Sequence, residues 1–129
     1  MSHKSKGSNA ERDLIHKFNA AGWVAIRSAG SGSQKFPAPD ILAGNNLRRV
    51  ALECKATRDI KKYLTAQEVD ELVLFAQTFG AEPWIGIKFD RLDWFFITVE
   101  DMDKTAKSYA IDIPTAKNKG LSFDELIKT

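Results

Sequence analysis

Hydrophobic positions change their period several times along this chain, and each change marks an element. From Asn9 to Ala21 the apolar residues Leu14, Ile15, Phe18 and Ala21 recur at helical spacing and Gly22 closes the run, so a first helix is expected over 9–21. Glu11 stands three and four residues before Leu14 and Ile15, which puts a carboxylate on the face that should turn inward. "WVAIRS" (23–28) alternates instead, with Trp23, Ala25 and Arg27 on one side and Val24, Ile26 and Ser28 on the other. That is the period of a strand. A small polar stretch, "AGSGSQKF" (29–36), predicts a loop, and "PDILA" (39–43) a short strand. The Gly-Asn-Asn at 44–46 predicts a turn that pairs it, as a hairpin, with a strand over 47–55.

Residues 56–64, "ATRDIKKYL", show no clear period and are expected to form a loop that exposes Lys61 and Lys62. The helix expected over 65–79 is the plainest in the chain. Thr65 and Glu68 make a capping box, Val69, Leu72, Val73, Ala76 and Phe79 a core stripe, and Gly80 a stop. Leu74 and Phe75 widen the apolar surface past one stripe, which points to burial or to contact with another subunit. "WIGIKF" (84–89) and "DWFFITV" (93–99) read as strands around a turn at 90–93. Residues 110–129 hold Pro114, a loop, and a weak helix opened by Ser122 and Glu125. This order of elements predicts an α/β fold, a central mixed β-sheet of about five strands with helices flanking it.

The length of 129 residues suits one domain with one hydrophobic core, spanning 1–129, with residues 1–7 as a mobile basic arm. No apolar run approaches the ~20 residues that span a bilayer, and "MSHKSKGSNA" offers no apolar stretch for a signal peptide, so no membrane is expected as a partner. A single cysteine, which cannot form an internal disulfide, suits a reducing cytoplasm. Net charge is only +2, but it is unevenly spread. Lys4, Lys6, Arg12, Lys17, Arg27 and Lys35 face only Glu11 and Asp13 in the first 35 residues, leaving that third at +4 and the rest at −2. A phosphate-facing surface would carry such a bias, and so would a solvated tail and helix face.

The chemistry concentrates in "PAPDILAGNNLRRVALECK" (37–55). Along the second strand Val50, Leu52 and Cys54 point one way, and Ala51, Glu53 and Lys55 the other. An acid and a base therefore share one face, about 7 Å apart along the backbone at roughly 3.3 Å per residue. The hairpin brings Asp40 toward them. Two carboxylates and the Cys54 carbonyl are hard oxygen donors of the kind Mg²⁺ prefers. A cation there would polarise a phosphate, and Lys55 could orient a water or offset developing charge. Alone, Glu-x-Lys is more often a surface ion pair. Glu11 could be a further ligand, while Ser8-x-x-Glu11 is also a capping box, and spacing leaves both roles open. His3 and His16 have no partner at zinc-ligand spacing, Cys54 lies on the core side of its strand, and the glycine-rich stretch at 30–32 lacks the ending of a nucleotide-binding loop.

With Pro39-Asp40 ahead of it, the pattern resembles the PD-(D/E)xK nuclease motif, Asp40 and Glu53 standing as its acids and Lys55 as its lysine. More specifically, "KGSNAERDLI", "GWVAIRSAGSGS", "PAPDILA", "ALECKA" and "LVLFAQTFGAEPWIGIKF" together resemble archaeal-type Holliday junction resolvases, from Lys6 to about Val99. The resemblance implies the restriction-endonuclease-like form of the α/β fold. It also implies a homodimeric endonuclease that cuts four-way DNA junctions with Mg²⁺, or with Mn²⁺ in its place. By position it implies Glu11, Asp40, Glu53 and Lys55 as the acidic site and Ser31 as a catalytic serine; the Cys54 carbonyl named above would complete the metal ligands. Lys4, Lys6, Arg12, Arg27 and Lys35 would face DNA or, for the arginines, support the site. Leu74, Phe75 and Phe79 would lie at the dimer interface. A sliding clamp or another recombination protein is an accessory partner the sequence does not specify. Two other readings stand beside it: another nuclease of this motif acting on duplex or repair intermediates, and a non-catalytic DNA-binding module of the same fold.

Overall fold

The turn at Asn45 sets the register of the sheet. Its Oδ1 accepts the N–H groups of Leu47 and Arg48 at 2.8 and 2.7 Å, so the side chain itself reverses the backbone. In the computed structural model, which describes residues 3–28 and 36–128 with side chains from residue 9 onward, β2 (Ile41–Gly44) and β3 (Arg49–Thr57) pair antiparallel across this turn. The helix α1 (His3–Ala20) leads into β1 (Val24–Arg27), which adds antiparallel outside β2. On its other side β3 runs parallel to β5 (Glu82–Phe89), and β6 (Phe95–Ile97) pairs antiparallel to close that edge. The result is the expected mixed five-stranded sheet, in the order β1-β2-β3-β5-β6.

A parallel pair needs a crossover. Here it runs through β4 (Lys61–Thr65) and α2 (Ala66–Phe79). The cap of α2 is as the sequence predicts: Thr65 and Glu68 cap each other, and Gly80 ends the helix in the left-handed region at φ 92°. Two cores cover the two sheet faces. Leu14 and Phe18 of α1 pack with Val50, Leu52, Cys54 and Phe96 on one face. On the other, Val69, Leu72 and Ala76 of α2 pack with Ala51, Ile85 and Ile87.

Several expectations need correction. Residues 56–64 are not a loop. β3 continues to Thr57, and β4 pairs with β8 (Ser108–Asp112), itself flanked by β7 (Asp103–Lys104), in a second, three-stranded sheet. Tyr109 and Ile111 bury that sheet's inner face with Leu64, which the polar residues of β4 do not advertise. A further helix, α3 (Ile113–Lys119), was not expected; Pro114 lies in its first turn, where its missing N–H costs nothing, and Asp112 caps it through the Thr115 N–H at 2.8 Å. The weak helix is α4 (Phe123–Lys128), with Ser122 and Glu125 capping each other as expected. At the other end α1 begins at His3, so most of the segment expected as an arm is helical. Nothing between His3 and Asn9 is a proline, and Ser8 lies inside the helix rather than at its cap, which removes the capping role considered for Glu11. Finally, Phe79 does not join the core stripe. It lies 50% exposed at the end of α2, stacked on Phe75 at 5.4 Å.

Candidate active site

Five elements deliver charged side chains to one end of β1–β3. Asp40 is fixed twice at the start of β2. Its carbonyl accepts the Ser28 N–H beyond β1 at 2.9 Å, and its Oδ2 accepts the Cys54 N–H of β3 at 2.8 Å. The carboxylate thereby takes the place of a ladder partner just past Ile41 and Leu52, the last registered pair of β2 and β3. In an antiparallel strand the N–H and C=O of one residue face the same neighbour. The Cys54 carbonyl therefore lies on the edge that Asp40 occupies.

Glu53 and Lys55 follow on the α2 face, half-buried rather than solvated, with Lys55 Nζ 3.7 Å from Glu53 Oε2. Glu11 reaches the same end from α1, where Arg27 Nε donates to its Oε1 at 3.2 Å. The sixth residue was not singled out as part of the site by the sequence. Glu68, in the first turn of α2, is hydrogen-bonded through Oε2 to Lys55 Nζ. The capping-box spacing marked it, but only for its role in the helix.

The electrostatics follow from crowding acids in a half-buried place. Burial, and then the charge of Asp40, push the Glu53 carboxyl up to about 8. Burial also raises Asp40, against the pull of its bond from the Cys54 N–H and of the Lys55 charge. Glu11 is raised by burial and by Asp40, with Arg27 opposing. Burial alone would lower the Lys55 pKa; its bond to Glu68 and the charges of Glu68, Glu53 and Asp40 outweigh that, and the ammonium is held. Burial would raise Glu68, but the hydrogen bonds from Lys55 and Thr65 carry it below its ordinary value. The Cys54 thiol, buried and facing these acids, is pushed well up and serves as packing.

Such a site has the chemistry of a hard-cation centre. Its donors are carboxylate oxygens and a carbonyl, and Glu53 holds a proton that a divalent ion would replace. Among the described residues no three such side chains already converge at ligand distance; Asp40 is bonded by the Cys54 N–H and Glu11 by Arg27.

The structure thus brings Glu11, Arg27, Asp40, Glu53 and Lys55 together. Arg12 is exposed on α1, bonded only to Asn9 at 3.3 Å among the contacts of its side chain seen here. Ser31 and Lys35, and the side chains of Lys4 and Lys6, lie outside the described residues. Leu74 and Phe79 are exposed on α2, and Phe75, on which Phe79 stacks, is half-buried. A pocket there is lined by Ile26, Pro39, Leu42 and Phe75. Val24 and Ile26 of β1, 70% and 61% exposed, extend this apolar surface; their alternation was legible, their exposure was not.

A family model described as the archaeal Holliday junction resolvase (hjc) matches residues 2–129. The crossover junction endodeoxyribonuclease Hjc of Archaeoglobus fulgidus is 46% identical over 109 residues, 84% of this chain and 80% of that relative. Its namesake in Methanocaldococcus jannaschii is 34% identical over 128 residues, 98% of this chain and 91% of the relative. A solved structure, that of Archaeoglobus fulgidus Hjc, a Holliday junction resolvase from an archaeal hyperthermophile, has a TM-score of 0.86 at 41% identity. It covers 93% of this chain and 98% of its own.

Proposed function

Because the chain belongs to the archaeal Holliday junction resolvase family, we propose that it is an endodeoxyribonuclease that resolves four-way DNA junctions, hydrolysing one phosphodiester in each of two opposed strands. The observation that carries this reading is the meeting of Asp40, Glu53 and Lys55 at one end of a sheet whose fold matches a resolvase. The residues fit Mg²⁺, with Mn²⁺ able to replace it, held by the Asp40 and Glu53 carboxylates and the Cys54 carbonyl, with Glu11 as a further ligand. When bound, such a cation polarises the scissile phosphate and lowers the pKa of its water.

The side chains supply the rest. Lys55 keeps a positive charge beside the acids, where it orients the attacking water and offsets charge developing on the phosphate. Arg27 neutralises and aims Glu11. Ser31, which the resemblance implies as a catalytic serine, lies outside the described residues, between Ser28 and Asp40 in sequence. Arg12, with Lys4, Lys6 and Lys35 of the same basic third, would hold backbone phosphates, so junction binding should weaken as salt rises.

Two copies acting together would match the twofold symmetry of a junction. The apolar surface formed by Val24, Ile26, Leu74, Phe75 and Phe79 supports a homodimer, since exposed apolar patches of this kind mark protein contacts. No helix among the described residues is long and apolar enough to cross a membrane, and the lone buried cysteine suits a cytoplasmic protein. The test is cleavage of a labelled, immobile four-way junction with Mg²⁺, beside linear duplex and an Asp40→Asn control. Paired symmetric nicks confined to the junction and lost in the control are expected. Equal cutting of linear duplex would overturn the junction selectivity.

A further inference from the structure

Glu68 spends its two carboxylate oxygens on two different tasks. Oε1 accepts the Thr65 N–H at 2.9 Å, while Thr65 Oγ1 accepts the Glu68 N–H at 3.0 Å, and this reciprocal pair starts α2. A capping box asks nothing more of its acid than one acceptor oxygen, and glutamine serves as well as glutamate. Oε2 nonetheless bonds the Lys55 ammonium on β3, thirteen residues earlier. That second bond lies outside the cap: it joins α2 to β3 and engages the lysine's head group.

Lys55 has two carboxylates within reach. Glu53 Oε2 stands at 3.7 Å, and Glu68 is the closer. If Glu53 were the lysine's principal counter-ion, the two would neutralise each other and neither would be free for a cation or a phosphate. A lysine stem is long and flexible, so its head group stays where its partners hold it. The inference rests on the hydrolytic site proposed above. We propose that Glu68 is a positioning residue for that reaction: from the first turn of α2 it holds the Lys55 ammonium at the site, so that Glu53 is not the lysine's principal counter-ion. Glu68 touches no reacting atom in this role. It acts through Lys55, and the helix cap fixes its own position.

The two tasks can be separated by substitution in the full-length chain. Glu68→Gln keeps an oxygen for the Thr65 N–H but puts an amide where the ammonium needs an anion. Thr65→Ala removes the hydroxyl half of the cap and leaves the lysine's partner in place. The first readout needs no activity: the ¹⁵N resonance of the Lys55 ammonium in metal-free protein, assigned with Lys55→Arg. It should be visible in the parent chain, lost to fast exchange or shifted in Glu68→Gln, and retained in Thr65→Ala.

The second readout is single-turnover cleavage of a four-way junction at saturating enzyme. In Glu68→Gln the rate should fall about 10- to 100-fold, the loss expected when a reacting group is displaced, with junction Kd unchanged. Thr65→Ala should show the reverse, a lower melting temperature and an unchanged rate. An unmoved Lys55 resonance in Glu68→Gln overturns the proposal, as does a parent-level rate in that variant. A resonance that moves while the parent chain cuts no junction at all would support the hold on Lys55 and instead overturn the resolvase reading on which its catalytic role rests.

Discussion

The carboxylate of Glu53 on β3 is buried beside that of Asp40 at the start of β2, and it carries a pKa of about 8 as a result of that burial and of Asp40's charge. A raised carboxylate binds a proton in the folded chain that the unfolded chain has already released. Its contribution to stability is complete below its ordinary value near 4.5 and is lost as pH rises through about 8. Asp40 and Glu11, also raised, act in the same direction, and Glu68, lowered, acts in the opposite one at acid pH. Metal-free protein should therefore lose stability between pH 5 and 8, by up to about 1.4 kcal/mol per pH unit for each proton involved. Thermal melts in a chelator should show this slope, and Glu53→Gln should flatten it. Adding Mn²⁺ should reverse the loss most strongly at the alkaline end, with release of protons measurable by calorimetry in two buffers.

Away from the site, Arg48 ties the C-terminal helix to the sheet. It makes two bonds to Glu82 at 2.9 and 2.8 Å and one to the Leu126 carbonyl at 2.7 Å, and it lies 5.5 Å from the ring centre of Trp23. Glu82 is partly exposed, so solvent discounts the ion pair. Arg48→Ala should cost about 1–3 kcal/mol, mostly through the unpaired Leu126 carbonyl and the lost packing on Trp23. Urea unfolding followed by tryptophan fluorescence would measure it. Proteolysis should begin in α4.

The apolar surface across β1 and α2 gives a prediction about association. Leu74 and Phe79 are 61% and 50% exposed, so Leu74→Asp should leave the subunit's own stability within about 0.5 kcal/mol, and Phe79→Asp should cost about 0.5–1.5 kcal/mol through lost stacking on Phe75. Sedimentation equilibrium should nonetheless show the proposed dimer in the parent chain and monomer in these variants. A dimer that survives both changes would place the contact elsewhere.

Arg12 projects from α1 into solvent on the basic third of the chain. Its replacement by alanine should weaken junction binding without altering where strands are cut, and should reduce the slope of log Kd against log salt by about one. Fluorescence anisotropy across a salt series would check this. Arg27, held by Glu11, should instead affect cleavage more than affinity.

The parts of the site that could be read in the sequence were those whose partners lie on the same element. Glu53 and Lys55 share a face because a strand alternates, and Thr65 and Glu68 cap each other because a helix start fixes that spacing. What escaped needed a partner from elsewhere. The strand character of Lys61–Thr65 depends on β8, far along the chain, and on Tyr109 and Ile111 to cover it. Glu68 had a sufficient local explanation, which hid its bond to Lys55. Arg48 was one of two arginines after a turn, and only the folded positions of Glu82 and Leu126 distinguish it from Arg49. The role of Glu11 was undecided by spacing because the true start of α1 lies earlier, in a stretch whose sequence carries no apolar period.

The contacts that assemble the site are short in sequence: 16 residues from Glu11 to Arg27, 14 from Asp40 to Cys54 and 13 from Lys55 to Glu68. Each closes a small loop, and loop closure is cheapest when few residues lie between the ends. None of these three contacts runs through the distant pairings of β4 with β8 or of Arg48 with α4, so damage confined to those pairings should loosen the C-terminal third while the acids keep these partners.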